Sequence, residues 1–130
     1  MKNNLFTPLF ASICFSFCLI SVFSYAQDTN SQYRTWISTK STDGYLNVTG
    51  NFENNSDKNI SISYLLISSR DGKAGTSSTT QKGNAEISAE EKSVLSSVKL
   101  SGVKNDFYMI KLIIYKDKRV IGSDSVVCKL

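Results

Sequence analysis

The sequence predicts an all-β protein: an antiparallel β-sandwich of about seven strands, immunoglobulin-like or fibronectin-like. Three observations carry that expectation. Beyond the first 26 residues, apolar side chains recur at alternate positions. Clusters of turn-forming residues interrupt them at sandwich-like spacing, and no segment sustains a helical stripe.

The first segment has a separate purpose. "MKNN" supplies a short positive start and "LFTPLFASICFSFCLISVF" an apolar run, and "SYA" sets Ser24 and Ala26 at the small-residue positions before a cut. Residues 1–26 are therefore expected to be a cleaved signal peptide, with Gln27 as the new N-terminus. The run is long enough to span a bilayer, at roughly 20 residues, but its small-x-small ending favours cleavage over a retained anchor. Neither "ASIC" nor "FSFC" has the leucine-small-small-Cys order that lipidation requires. Gln27–Leu130 then reads as one domain of common size. Cys14 and Cys18 leave with the signal, which leaves Cys128 alone and no internal disulfide. Cys128 reads as a small apolar residue at the end of the last strand.

"YRTWIST" (Tyr33–Thr39) is the first strand, and "STDG" the turn after it. In "YLNVTGNFE" (Tyr45–Glu53), Leu46, Val48 and Phe52 point one way and Asn47, Thr49, Asn51 and Glu53 the other. That alternation marks an antiparallel sheet covered on one side. After the loop "NNSDKN", "ISISYLLISSR" (Ile60–Arg70) becomes apolar on both sides, as a central strand does. The next stretch, "TSSTTQ" (Thr76–Gln81), has no aliphatic bulk, but threonine suits a pleated surface. It reads as a polar edge strand, with a linker between two halves as the alternative. "ISAEEK" reads as a turn, although Ser88 and Glu91 have the spacing of a helix capping box and a short helical turn is the fallback. Val94, Ser96, Val98 and Leu100 keep period two in the following strand. "DFYMIKLIIYKD" (Asp106–Asp117) is the most hydrophobic strand; "KDKR" reverses the chain and "RVIGSDSVVCKL" returns as the last strand. Trp36 and the tyrosines are expected in the core and at its rim.

Composition narrows the chemistry. The formal net charge is +4 and the basic residues are scattered, which disfavours nucleic acid as a partner. There is no histidine, so the commonest general base and metal ligand are both missing. Serines and lysines are too abundant for a Ser-Lys dyad to stand out. Glu90–Glu91 and Asp57 near Glu53 fall in turns, where carboxylates are usually solvated. "DGKAG" lacks the Gly-Lys-Ser/Thr ending of a phosphate loop and the alternating acids of a calcium loop. No cofactor, no metal and no enzymatic activity are expected.

Surface remains. In the strand at Asp106–Asp117, Tyr108, Ile110, Leu112 and Ile114 share one face, and Phe107, Met109, Lys111, Ile113 and Tyr115 the other. Lys111 amid the second set is compatible with a half-wet binding face for an extended polypeptide. The simpler alternative is that the second sheet covers this face and Lys111 snorkels out.

One stretch carries a family resemblance. Ser69, Gly72, Gly75, Ser77, Gln81 and Gly83 follow the order S-x-x-G-x-x-G-x-S-x-x-x-Q-x-G just after a central strand. Leu95, Ser96, Val98 and Leu100 follow, and the closing hairpin carries Val120, Ser123 and Asp124. Over Tyr33 to Val127 this pattern resembles the curli-assembly chaperones of the CsgH/CsgC type. The resemblance implies an immunoglobulin-like sandwich in the periplasm that holds curli-type amyloid subunits in a non-amyloid state until export. The Cys-x-Cys pair of one branch is missing, so its redox role does not carry over, and no catalytic residues come with the family. The partner so implied is a curli-type amyloid subunit, with no membrane contact after signal cleavage and the protein itself a monomer. Amyloid subunits grow through strand edges, so the expected client-binding residues are those of the polar edge and its surroundings: Lys73, Thr76, Ser77, Thr79, Gln81, Lys82, Lys111 and Tyr115. The alternative from another class is a structural or adhesive immunoglobulin-like module of a cell-surface assembly.

Overall fold

Turn chemistry cuts the described residues into seven strands: β1 (Tyr33–Thr42), β2 (Tyr45–Asn54), β3 (Ile60–Gly72), β4 (Gly75–Ile87), β5 (Lys92–Ser101), β6 (Phe107–Lys116) and β7 (Arg119–Lys129). The computed structural model describes residues 32–130; the expected signal peptide, its cleavage point, Cys14 and Cys18 lie outside the described residues. Asp43 and Gly44 join β1 to β2 with φ of 46° and 78°, the left-handed pair that matches the twist of a tight hairpin. Asp117 and Lys118 do the same between β6 and β7, at 50° and 63°. Between β4 and β5 the capping-box residues close a turn instead of starting a helix. The Ser88 N–H donates to Glu91 Oε2 at 2.8 Å, and the Glu91 N–H donates to the Ser88 carbonyl at 3.2 Å. The strand then resumes at Lys92.

All pairings are antiparallel. One sheet has the order β1-β2-β5 and the other β4-β3-β6-β7. In constant-type immunoglobulin domains the fourth strand joins the first sheet. Here it stays beside the third, the fibronectin-like variant of the sandwich.

The core forms where the inner faces meet. Leu46, Val48 and Phe52 from β2 pack with Ile60, Ile62 and Leu66 from β3, Ile87 from β4, and Tyr108, Ile110, Leu112 and Ile114 from β6. Each such side chain contributes about 1.5–3 kcal/mol when fully buried. Tyr33 stacks on Phe52 with ring centroids 5.7 Å apart. Trp36 lies at the rim, half-buried, with the Arg34 guanidinium 4.7 Å from its ring.

Polar side chains tie the ends of the sandwich. The Tyr108 hydroxyl donates to the Ser101 carbonyl at 2.6 Å and accepts from the Val103 N–H at 3.0 Å, a tyrosine corner that fixes the β5–β6 crossing. Asn54 is fully buried. Its Nδ2 donates to the carbonyls of Lys58, Ile87 and Ser88, and its Oδ1 accepts from the N–H and hydroxyl of Ser56.

One expectation is corrected and two alternatives are excluded. Asn51, assigned to the wet face of β2, is buried: the register shifts between Gly50 and Asn51, and its amide donates to Trp36 O, Ser38 Oγ and Thr49 O. The linker alternative for Thr76–Gln81 is excluded, because β4 pairs with β3 from Gly75 to Ile87. The second sheet does not cover the Lys111 face. It packs on the opposite side of β6, leaving Phe107 50% and Met109 57% exposed.

Candidate functional site: the β4 margin and the faces beside it

A strand accepts a foreign strand only if one side of its main chain is free. β4 has β3 on one side and, among the described residues, no sheet neighbour on the other. Its residues from Gly75 to Thr80 are all exposed, whereas Gln81, Gly83 and Ala85 are half-buried and Ile87 is buried. The strand is therefore anchored at its far end by apolar packing and leaves its first half at the surface. Small and hydroxylated side chains produce that profile, since they bury too little to pull the segment inward.

Register assigns each expected residue to a face. Opposite Leu66, Ser68 and Arg70 of β3 stand Gln81, Thr79 and Ser77, which face the inside of the sandwich. Thr76, Ser78, Thr80 and Lys82 oppose Asp71, Ser69, Ile67 and Leu65 and face outward. Lys73 lies in the turn between β3 and β4, exposed. Lys111 is exposed at the middle of the outer face, between Ile67 and Ser125 in register. Among the described residues none of Lys73, Lys82 and Lys111 has an ion pair; those present are Arg34–Glu53 and Arg70–Asp106.

The expected residues thus do not form one cluster. Lys82 and Tyr115 share an outer hollow of about 600 Å³ with Lys118. Thr76 and Ser77 border a second hollow of about 710 Å³, walled by Phe107, Met109 and Val127. Thr79 lines a third, a crevice of about 210 Å³ between the sheets. Gln81 is committed: its Oε1 accepts a hydrogen bond from the Ser96 hydroxyl of β5.

The glycines of the motif have packing reasons. A Cβ on Gly83 would stand 2.6 Å from the Tyr64 hydroxyl, so the ring lies directly over that backbone. A Cβ on Gly72 would run into the carboxylate of Asp106, which pairs with Arg70 at 3.6 Å.

The two flanks of the sandwich differ, and this was missed in the sequence. On the β1–β7 flank the Ile37 N–H of edge strand β1 donates to Asp124 Oδ2 at 2.8 Å. That carboxylate occupies a main-chain donor which would otherwise be free to pair. The signal was available: Asp124 has the inward parity of Val126 and Cys128, and an inward charge on an edge strand is a recognised guard. On the β4–β5 flank, among the described residues, only the Gln81–Ser96 bond crosses between the edge strands.

Among the described residues no three of His, Cys, Asp or Glu gather to hold a metal ion, and no helix is long and apolar enough to cross a membrane. These features define a strand-edge β-sandwich with a guarded flank and an open one. The solved structures it is similar to share the fold. R. palustris CsgH is 22% identical over 74% of this chain and 88% of that one, with a TM-score of 0.53. The E. coli curli protein CsgC is 15% identical over 73% of this chain and 96% of that one, with a TM-score of 0.58. Bacteroides uniformis β-glucuronidase 2 matches 73% of this chain at 16% identity and a TM-score of 0.54, but over only 13% of the enzyme's length. No family model and no curated protein matches the chain.

Proposed function

We propose that the protein is a periplasmic, non-enzymatic chaperone that binds curli-type amyloid subunits and suppresses premature fibre formation during curli assembly. The observation that carries this reading is the open main-chain margin of β4, set against a β1 margin whose Ile37 donor is already taken by Asp124. Amyloid grows by adding strands to edges. A soluble edge that is polar and flanked by Lys73 and Lys82 can pair with a client strand while resisting its own association. The shared fold with the E. coli curli protein CsgC supports the same reading.

The test follows fibre formation of a purified curli major subunit by dye fluorescence, with this protein well below equimolar. The lag time is expected to lengthen severalfold; an unchanged lag sinks the proposal. The exposed Phe107, Met109 and Val127 favour a second reading, an adhesive module held in a cell-surface assembly. Recovery with the outer surface or fibres, rather than with soluble periplasm, would select it.

A further inference from the structure

The inward face of β3 changes character along its length. Ile60, Ile62 and Leu66 are buried aliphatic residues, but the same parity then brings Ser68 and Arg70. Opposite them β4 offers Thr79 and Ser77, and Ser101 of β5 lines the other sheet's side. The resulting crevice of about 210 Å³ lies between the edge strands of the open flank. Ser68 is 5% exposed, and its hydroxyl has no hydrogen-bond partner. The Nε of Arg70 is likewise buried without one, at ion-pair distance from Asp106 but outside hydrogen-bond reach. Two buried polar groups without a hydrogen bond in one crevice are costly to keep unless something meets them.

Their chemistry selects the ligand. Arg70 Nε–H is a donor only, and the hydroxyls of Ser68, Ser77 and Thr79 both donate and accept. Asp106 already balances the guanidinium charge, and Lys99, which also borders the crevice, holds its ammonium 4.1 Å from the Tyr45 ring, so an added carboxylate is disfavoured. A neutral group with an acceptor and donors together fits best, and the primary amide is the side chain with that combination. Gln81, one inward position along β4, shows the same chemistry internally, with its amide oxygen accepting from Ser96 across the sheets.

We propose that this crevice receives a glutamine or asparagine side chain from a strand paired to β4. The amide oxygen accepts from Arg70 Nε–H and the Ser68 hydroxyl, and the amide nitrogen donates to Thr79 and Ser77. A strand added at the β4 margin projects every second side chain to the inner side of the sheet, beside Thr79. The inference rests on the reading of β4 as a strand-accepting margin.

The probes are short soluble Thr/Ser peptides with one central Gln, Glu, Leu or Ala, titrated into isotope-labelled protein. β4 amide shifts report edge pairing, and the Arg70 Nε–H resonance reports the crevice. The Gln peptide is expected to bind about tenfold more tightly than the Ala and Leu peptides. Ser68→Ala should abolish that advantage while leaving thermal stability unchanged or raised, because it removes a hydroxyl with no partner. Equal binding of Gln and Ala peptides, with β4 shifted by both, overturns the amide site and leaves edge pairing standing. Tightest binding by Glu overturns it in favour of an anion site. A Ser68→Ala protein that is less stable but keeps the Gln preference shows a purely structural hydroxyl and also overturns it. No β4 shift with any peptide removes the edge reading and this inference together.

Discussion

Asp124 on β7 accepts the main-chain N–H of Ile37 on β1 at 2.8 Å, so one sheet satisfies the exposed edge of the other. A hydrogen bond to a charged acceptor is worth about 1.5–3 kcal/mol. Asp124→Ala should cost that much in urea unfolding and also free the β1 donor for pairing between molecules. Sedimentation should then show association that grows with concentration. A variant as stable and as monodisperse as the parent would contradict the guarding role.

The β4 margin makes a parity-dependent prediction. In an antiparallel pair, successive N–H groups alternate between the partner and the free side. Of Thr79→Pro and Thr80→Pro, one should leave the fold intact and weaken client protection, since it removes only an outward donor. The other removes a bond to β3 and should destabilise by on the order of 3 kcal/mol. Circular dichroism melts distinguish them; if both proteins unfold, the segment is internal.

Asn54 predicts a large effect from a residue outside every functional motif. It is fully buried and meets three carbonyls and two Ser56 donors. Asn54→Ala should destabilise by about 3 kcal/mol, because buried groups lose their partners at once. Denaturant midpoints measure it, and a loss within the noise would show that Asn54 is not the clasp between the β2 end and the β4–β5 turn.

Lys73, Lys82 and Lys111 are exposed and without ion pairs among the described residues. On the proposed function, reversing each to Glu should shorten the lag extension expected with a curli subunit, without moving the protein's melting temperature. The effect should be largest at Lys82, which lies beside both the margin and the Tyr115 hollow. It should also fade as salt rises past roughly 0.15 M, where the Debye length falls to about 8 Å. Equal sensitivity to salt in the triple variant and the parent would remove charge from the mechanism.

Much of this architecture is legible in the residues, for physical reasons. Period two in Leu46, Val48 and Phe52, and in Tyr108, Ile110, Leu112 and Ile114, reports which face is dry because strand side chains alternate strictly. The polar edge at Thr76–Gln81 is legible because nothing there could anchor a core. Asn51 defeats the pattern because a bulge shifts the local register, and periodicity carries no information across an inserted residue. The openness of the Lys111 face depends on which side of β6 the other sheet takes, and Lys111 alone does not fix that choice, because a lysine can snorkel out from under a covering sheet. The site was legible only in part. Ser77, Thr79 and Gln81 turn inward while Thr76 and Lys82 turn outward, a division that follows from register with β3. The crevice at Ser68 and Arg70 needs partners distant in sequence to exist at all.

The unequal flanks set a valency. A fibril propagates because each new subunit arrives with two reactive ends, one to attach and one to be attached to. On the proposed function, a molecule with one receptive margin and an opposite flank whose Ile37 donor is already taken is expected to act as a monofunctional additive does in condensation polymerisation, joining a growing end and offering no successor. Stoppers of that kind act at a small fraction of the monomer concentration, because they titrate ends and not mass.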